Sequence, residues 1–355
     1  MTLTAQFETH HAANPSSGDI DDTVCVIIAA RNAADTIRLA IASALRERLV
    51  SEVIVVDDAS TDTTSAATMA ADDETGRLKL ISLKQNVGPA RARNLALDQS
   101  SASLIAILDA DDFFIPDRFA SLLAAKDWDF VADNIVFIDQ QRRVDPDSLT
   151  VPRFSPEPRF LSLAAFVDRN ISRRGKPRGE LGFLKPVMRR GFLEKHGLKY
   201  NEKLRLGEDY DLYTRALALG ARFKVVNTCG YGAIVRANSL SGRHGANDLK
   251  QLADADLELL KFHDLPDGAR RSVEVHEKHI RGKYQHRHFL DIKAQGGIGA
   301  AISYVASNPF ALPAIAKGIL TDKTDLFVSK RTKPAPTASR PTARFLFPGR
   351  VEIQK

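Results

Sequence analysis

Cysteine is nearly missing from this chain of 355 residues: there are two, Cys25 and Cys229. That is too few for a disulfide framework. Cys25 lies inside the apolar run Val24-Cys25-Val26-Ile27-Ile28, where a small buried thiol is expected, and a reducing, cytoplasmic setting suits it. A secretory leader is not expected either. The first 22 residues are polar, with His10, His11, Asp19, Asp21 and Asp22 and no apolar core. No uninterrupted apolar run is long enough to span a bilayer. The nearest candidate, residues 298–320, is broken by Asn308, Pro309, Pro313 and Lys317. Internal repeats are absent, and tryptophan occurs once, at Trp128.

What is present fits a globular protein. Hydrophobic residues make up 44% and charged residues 26%, enough for a packed core in one large domain with an appendage or in two modest domains. The net charge of +6 is uneven: residues 329–355 contribute +6 and residues 270–293 contribute +4, leaving about −4 on the rest. A nucleic-acid enzyme would carry its basicity on its active surface, so no nucleic-acid partner is expected. A basic C-terminal appendage facing anionic lipid headgroups is the better expectation.

Along the first half, short apolar runs alternate with helical periodicity. Strands are expected over 24–30, 52–56, 78–83, 104–108 and 130–138. Helices are expected over 35–46, 60–71, 89–99, 116–126 and, later, 162–169. Such alternation predicts an α/β fold with a mostly parallel sheet covered on both faces. Ligands of such sheets bind beyond the carboxyl ends of the strands, where the loops 29–34, 57–62 and 109–112 fall. After about residue 140 the pattern is irregular and rich in Pro and Arg. The last 25 or so residues read as disordered.

Four constellations carry chemistry. In Asp109-Ala110-Asp111-Asp112, three carboxylates at the end of a buried strand are costly unless a cation or several N–H donors compensate. Alternate residues of an extended segment share a side, so Asp109 and Asp111 can converge on Mg2+ or Mn2+. The plainer alternative, a cap for the helix opened by Pro116, leaves several residues between the acids and the helix. Asp57 and Asp58 end another strand and can accept from a nucleobase or ribose, or cap the next helix, a task Ser60 or Thr61 can perform instead. Asn86-Val87-Gly88-Pro89 leads into a helix whose N-terminus favours anions, and Arg93 offers a planar donor fork. In Gly207-Glu208-Asp209-Tyr210-Asp211-Leu212 the acids either cap a helix or supply a general base.

Taken in order, these segments resemble glycosyltransferase family 2, the inverting transferases with a GT-A fold. The resemblance runs over residues 22–245 and rests on Cys-Val-Ile-Ile-Ala-Ala-Arg-Asn, Val-Val-Asp-Asp-Ala-Ser, Asn-Val-Gly-Pro-Ala-Arg-Ala-Arg-Asn, Leu-Asp-Ala-Asp-Asp and Gly-Glu-Asp-Tyr-Asp-Leu. Gly182-Phe183-Leu184-Lys185-Pro186 with Arg189-Arg190 looks like transferases of succinoglycan-type exopolysaccharide pathways. The resemblance implies a nucleotide-binding half over 22–140 and an acceptor half over 141–245. A disordered segment 1–21, a helical region 246–328 and a disordered basic tail 329–355 complete the division.

It also implies roles. Ala30 and Arg31 would line the nucleotide, Asp58 would bind the base, typically uracil, and Arg93 would help to hold the nucleotide. Asp111 and Asp112 would make ribose and metal–diphosphate contacts, with Asp109 beside them, and Asp209 would be the catalytic base. Two departures stand out. Family members often carry a His near the segment that here reads 235–241, whereas the nearest is His244, a candidate third metal ligand. The Gln-x-x-Arg-Trp signature of processive synthases is absent, which favours transfer of one sugar.

The expectation is therefore a hexosyltransferase moving one sugar, with glucose the first candidate, from a UDP-sugar to a saccharide or lipid-linked saccharide. Two rivals belong to other classes. A nucleotidyltransferase would carry a Gly-rich loop after the first strand, and a receiver-like signalling module would leave residues 179–245 unexplained. The histidines within 276–288 alternate with Lys278, Arg281, Lys283 and Arg287, which would repel a metal, so an exposed basic helix is expected there. With residues 298–320 it would form a membrane-surface patch on the inner face of the cytoplasmic membrane.

Overall fold

The computed structural model describes residues 22–140, 159–172, 180–236, 244–331 and 343–347, with positions 146, 149, 151 and 154 between them. The first half alternates as expected: β1 (Val24–Ala30), α1 (Ile37–Leu45), β2 (Val50–Asp57), α2 (Thr64–Met69), β3 (Leu78–Ser82), α3 (Pro89–Gln99) and β4 (Leu104–Ile107). Every residue of β4 is buried, and β1 and β2 each have only one residue short of it. That is why they read as continuous apolar runs: helices cover both faces.

The chain continues through β5 (Phe113–Phe114), α4 (Arg118–Leu123), β6 (Phe130–Asp139), β7 (Arg159–Phe160) and α5 (Leu163–Asn170). Then follow β8 (Val187–Arg189), α6 (Arg190–Lys195), α7 (Glu208–Ala218), β9 (Phe223–Val235), α8 (Ala246–Leu259), α9 (Asp267–Ser307), α10 (Leu312–Arg331) and β10 (Ala343–Phe345).

Among the described residues the strands make one sheet in the order β3-β2-β1-β4-β8-β6-β9-β5, with β10 on β6 and β7 on β9. The pairs among β3, β2, β1 and β4 are parallel, the half expected to bind nucleotide. β8 enters antiparallel between β4 and β6, so the second half is mixed. This insertion brings the residues after Leu184 against the end of β4, beside the acidic cluster.

Three local expectations change. α2 begins at Thr64, later than the predicted start, because Ser60 and Thr61 are engaged elsewhere: Ser60 accepts from the Asn32 N–H, and the Thr61 N–H donates to Asn32. α4 starts two residues after Pro116, since Asp117 takes a left-handed conformation with φ 61°. The tail is not disordered throughout. At its described part β10 pairs antiparallel with β6, Phe345 packs on Phe154, and Leu346 is buried. The remainder of the tail and residues 1–21 lie largely outside the described residues.

The C-terminal region is helical as expected, but α9 is not an exposed basic helix along its whole length. His276 is 2% exposed. Its Nδ1 lies 2.6 Å from Asp256 and 3.0 Å from the Tyr210 hydroxyl, and its ring stacks on Tyr210. No single helix among the described residues is long and apolar enough to cross a membrane.

Candidate active site

The loops after β1 and β2 are bonded to one another. Asp58 N–H donates to the Ala30 carbonyl at 2.8 Å, and Ala33 N–H donates to Thr64 Oγ1 at 2.8 Å. Ala30 is buried at this edge, whereas Arg31 is exposed and open to a ligand. Asp58 is itself buried and holds the next loop: its carboxylate accepts from Val87 N–H at 2.6 Å, Gly88 N–H at 2.9 Å and Asn86 Nδ2 at 2.7 Å. The anion expected near the start of α3 is thus Asp58 of the protein. A carboxylate offers about four acceptor positions, so roughly one is left for a base N–H.

The acidic cluster divides into three environments. Asp112 turns inward, accepting from the Tyr231 hydroxyl at 2.8 Å and Ile234 N–H at 2.8 Å. Burial, with Asp111 and Asp109 nearby, holds its carboxyl well above the usual range. Asp109 is gripped by Arg93 Nη2 at 2.9 Å and Lys185 Nζ at 3.0 Å, and these cations overcome its burial and lower its pKa. Asp111 is the outward carboxylate, contacted by Arg236 Nη2 at 3.1 Å. Burial and the Asp109 charge raise its pKa.

Arg93, expected at the nucleotide, is turned into the protein. Its Nη1 reaches Glu208 at 2.6 Å and Asp209 at 3.4 Å, and its guanidinium lies over the Tyr200 ring. Lys185 completes the bridge by contacting Asp209 Oδ2 at 2.7 Å. Burial opposes the charge on Lys185, but Asp109 and Asp209 outweigh it and its pKa is raised. Glu208 and Asp209 occupy the first turn of α7 after Gly207, which has φ 82°. Their carboxylates face Arg93 and Lys185, and Gly207 has no side chain with which to cap. Helix capping therefore does not explain the acidic pair.

Lys185 is the residue that sequence reasoning underused. It was visible only inside the Gly-Phe-Leu-Lys-Pro run, and nothing local announced that it would meet two acids. A fully buried pair positions it: Arg118 lies 2.9 Å from Asp133, and Arg118 Nη2 also donates to the Lys185 carbonyl at 2.5 Å. The Arg118 guanidinium packs over Phe114 and Tyr231. The same Tyr231 hydroxyl accepts from Asp109 N–H at 3.2 Å.

His244 does not join this cluster. Among the described residues no group of three or more His, Cys, Asp and Glu is gathered to hold a metal ion. His244 lies instead towards Asp248, whose carboxyl is lowered chiefly by Arg205. Asp109 and Asp112 are likewise committed to protein partners. The chemistry that remains still suits a hard cation. Asp111 presents carboxylate oxygen, and diphosphate oxygens and water can supply the other positions. Arg236 Nε, buried and without a partner among the described residues, is a donor available to an anionic group there.

Residues 25–192 match the sequence profile of Glycosyl transferase family 2. The chain is 55% identical over 315 residues to succinoglycan biosynthesis protein ExoU of Rhizobium meliloti, covering 89% of this chain and 92% of that protein. It is 27% identical to WfaP of Escherichia coli, covering 65% of this chain and 83% of that one. WfaP is a UDP-Glc:alpha-D-GlcNAc-diphosphoundecaprenol beta-1,3-glucosyltransferase. Among solved structures, S. aureus TarS 1–349 in complex with UDP-GlcNAc superposes with a TM-score of 0.54 at 20% identity, over 84% of this chain and 80% of that chain. This likeness is one of fold.

Proposed function

The chain belongs to glycosyl transferase family 2, and from that premise we propose that it moves one hexose from a UDP-sugar to a lipid-linked saccharide, inverting the anomeric centre. Family membership sets aside the nucleotidyltransferase and the receiver module. Glucose is the favoured sugar, because the relative WfaP transfers it to a diphosphoundecaprenol acceptor. The likeness to ExoU, a succinoglycan biosynthesis protein, supports a part in the assembly of a succinoglycan-type exopolysaccharide, and the reaction would take place on the cytoplasmic side of the membrane.

One observation carries the reading. Lys185 and Arg93 tie Asp109, which would lie on the diphosphate side, to Asp209, which would lie on the side of the attacking hydroxyl. An inverting transfer needs those two sides in fixed register. Asp209 Oδ2 is held by Lys185 at 2.7 Å and Oδ1 meets Arg93 at the longer distance of 3.4 Å, so Oδ1 would be the atom that accepts the proton of an acceptor hydroxyl. The acceptor oxygen then attacks the anomeric carbon from the face opposite the diphosphate. The carbon–oxygen bond to UDP breaks, and the linkage inverts. Asp58 would take the uracil N–H, Arg31 would line the nucleotide, and Arg236 would meet the diphosphate. Asp111 would hold Mg2+ or Mn2+, a cation that neutralises charge on the departing diphosphate.

The test is a panel of UDP-sugars with lipid-linked acceptors, read by mass spectrometry. Asp209→Asn is expected to lose transfer by about 100-fold or more. It should keep the thermal stabilisation that UDP with Mn2+ gives the wild type. An Asp209→Asn variant turning over near the wild-type rate would remove Asp209 from the mechanism.

A further inference from the structure

The end of α9 and the start of α10 form a helical hairpin whose inner and outer faces are both apolar. Inside, Phe289, Ala301, Ala311 and Ile315 pack into a small core of their own. Outside, Ile298, Ile302, Phe310, Leu312 and Leu320 are exposed. These are five of the twelve exposed large hydrophobics among the described residues, gathered in one short stretch, and Phe310 at the turn is 94% exposed. The spacing is helical. Ile298, Ile302 and Ala306 recur every fourth residue on one helix, and Leu312, Ala316 and Leu320 do so on the other. Since the inner face already satisfies the packing, the hairpin's own fold does not account for the outer one.

We infer that this hairpin is a surface anchor that lays its outer apolar face into a bilayer containing anionic lipid. Its geometry suits lying along a membrane surface. Gly297, with φ 73°, interrupts α9 just before the exposed stripe, and the two helices meet at a bend of 102°. Its charge suits an anionic surface. Residues 293–321 contain no acid, Lys293 and Lys323 flank the stripe, Lys317 lies within it, and Asp322 lies 3.4 Å from His286. The chain then runs on into residues 329–355, with seven Lys and Arg against one acid. Apolar insertion joined to a polybasic segment is the two-signal arrangement that holds a protein at a membrane. A second copy of this chain would bring the same cations against themselves. The inference rests on the proposed function only for its purpose, which is to keep the site beside an acceptor embedded in lipid.

Full-length protein is to be sedimented with vesicles of phosphatidylglycerol and phosphatidylcholine, and with vesicles of phosphatidylcholine alone. The wild type is expected to pellet with the anionic vesicles and to be released in part by salt. Phe310→Ser combined with Leu320→Ser should lower the bound fraction roughly tenfold. Thermal stabilisation by UDP should be unchanged in that variant, which shows that the fold is intact. Two results would overturn the anchor: wild type that stays in solution with anionic vesicles, or a serine variant that binds as well as wild type. A dimer abolished by Phe310→Ser, with no vesicle binding, would overturn it in favour of a second copy. Vesicle binding without sugar transfer would count against the proposed function and leave the anchor standing.

Discussion

At Lys185 one ammonium group lies between two carboxylates, Asp109 and Asp209, that reach it from different ends of the fold. Removing that charge leaves two acids facing each other with Arg93 alone to balance them. Lys185→Met is therefore expected to destabilise the protein by about 3–5 kcal/mol, the usual cost of breaking a buried ion pair from one side. Urea unfolding measures this, and Lys185→Arg should recover part of it. Asp58 supports a second prediction at this scale. Asp58→Ala leaves the N–H groups of Val87 and Gly88 without their acceptor and should weaken UDP binding through loss of the 86–88 loop as well as of a direct contact. Calorimetric titration with UDP checks it, and unchanged affinity would count against both roles.

Elements are joined here by side chains that close gaps between strands and helices. Asn134 on β6 is buried, and it donates to the Phe347 carbonyl at 3.0 Å and accepts from Phe347 N–H at 2.9 Å. Asn134→Ala should cost about 1–3 kcal/mol by orphaning those groups, a shift readable in the urea midpoint. On α9, burial, aided by Lys283, depresses the pKa of His279 to about 4. As pH falls, the unfolded chain takes up the proton first, near the ordinary value of about 6.5. Stability tied to neutral His279 is thus whole above that pH and is lost as pH falls towards about 4. The melting temperature of His279→Asn should fall less steeply than that of wild type across this window.

For the molecule as a whole, the catalytic half and the helical region are one mechanical unit. Tyr210, next to Asp209 on α7, donates to Asp256 of α8 at 2.9 Å and stacks on His276 of α9. Its hydroxyl is buried, so Tyr210→Phe should lower stability by about 1–3 kcal/mol in a single cooperative transition. Two separate unfolding transitions would show that the halves are independent. The sequence by itself determined the buried parallel strands of the first half and not β5 or β7 to β10, because runs such as Val24–Ala30 are buried on both faces and leave a continuous apolar imprint. It also placed the acidic loops at one sheet edge, since parallel strands send their carboxyl ends to the same side. What it left undecided is which partner each charged side chain takes. Asp58, Arg93 and Asp112 carry the same letters whether they face a ligand or the protein, and pairing across distant segments appears only once the chain is folded. Antiparallel insertion of β8 set Lys185 between Asp109 and Asp209, and it turned a row of acids into one committed inward, one clamped and one open. Tertiary structure decided these roles because the energy of a buried charge depends on what lies within a few ångströms of it, and sequence spacing does not report that distance.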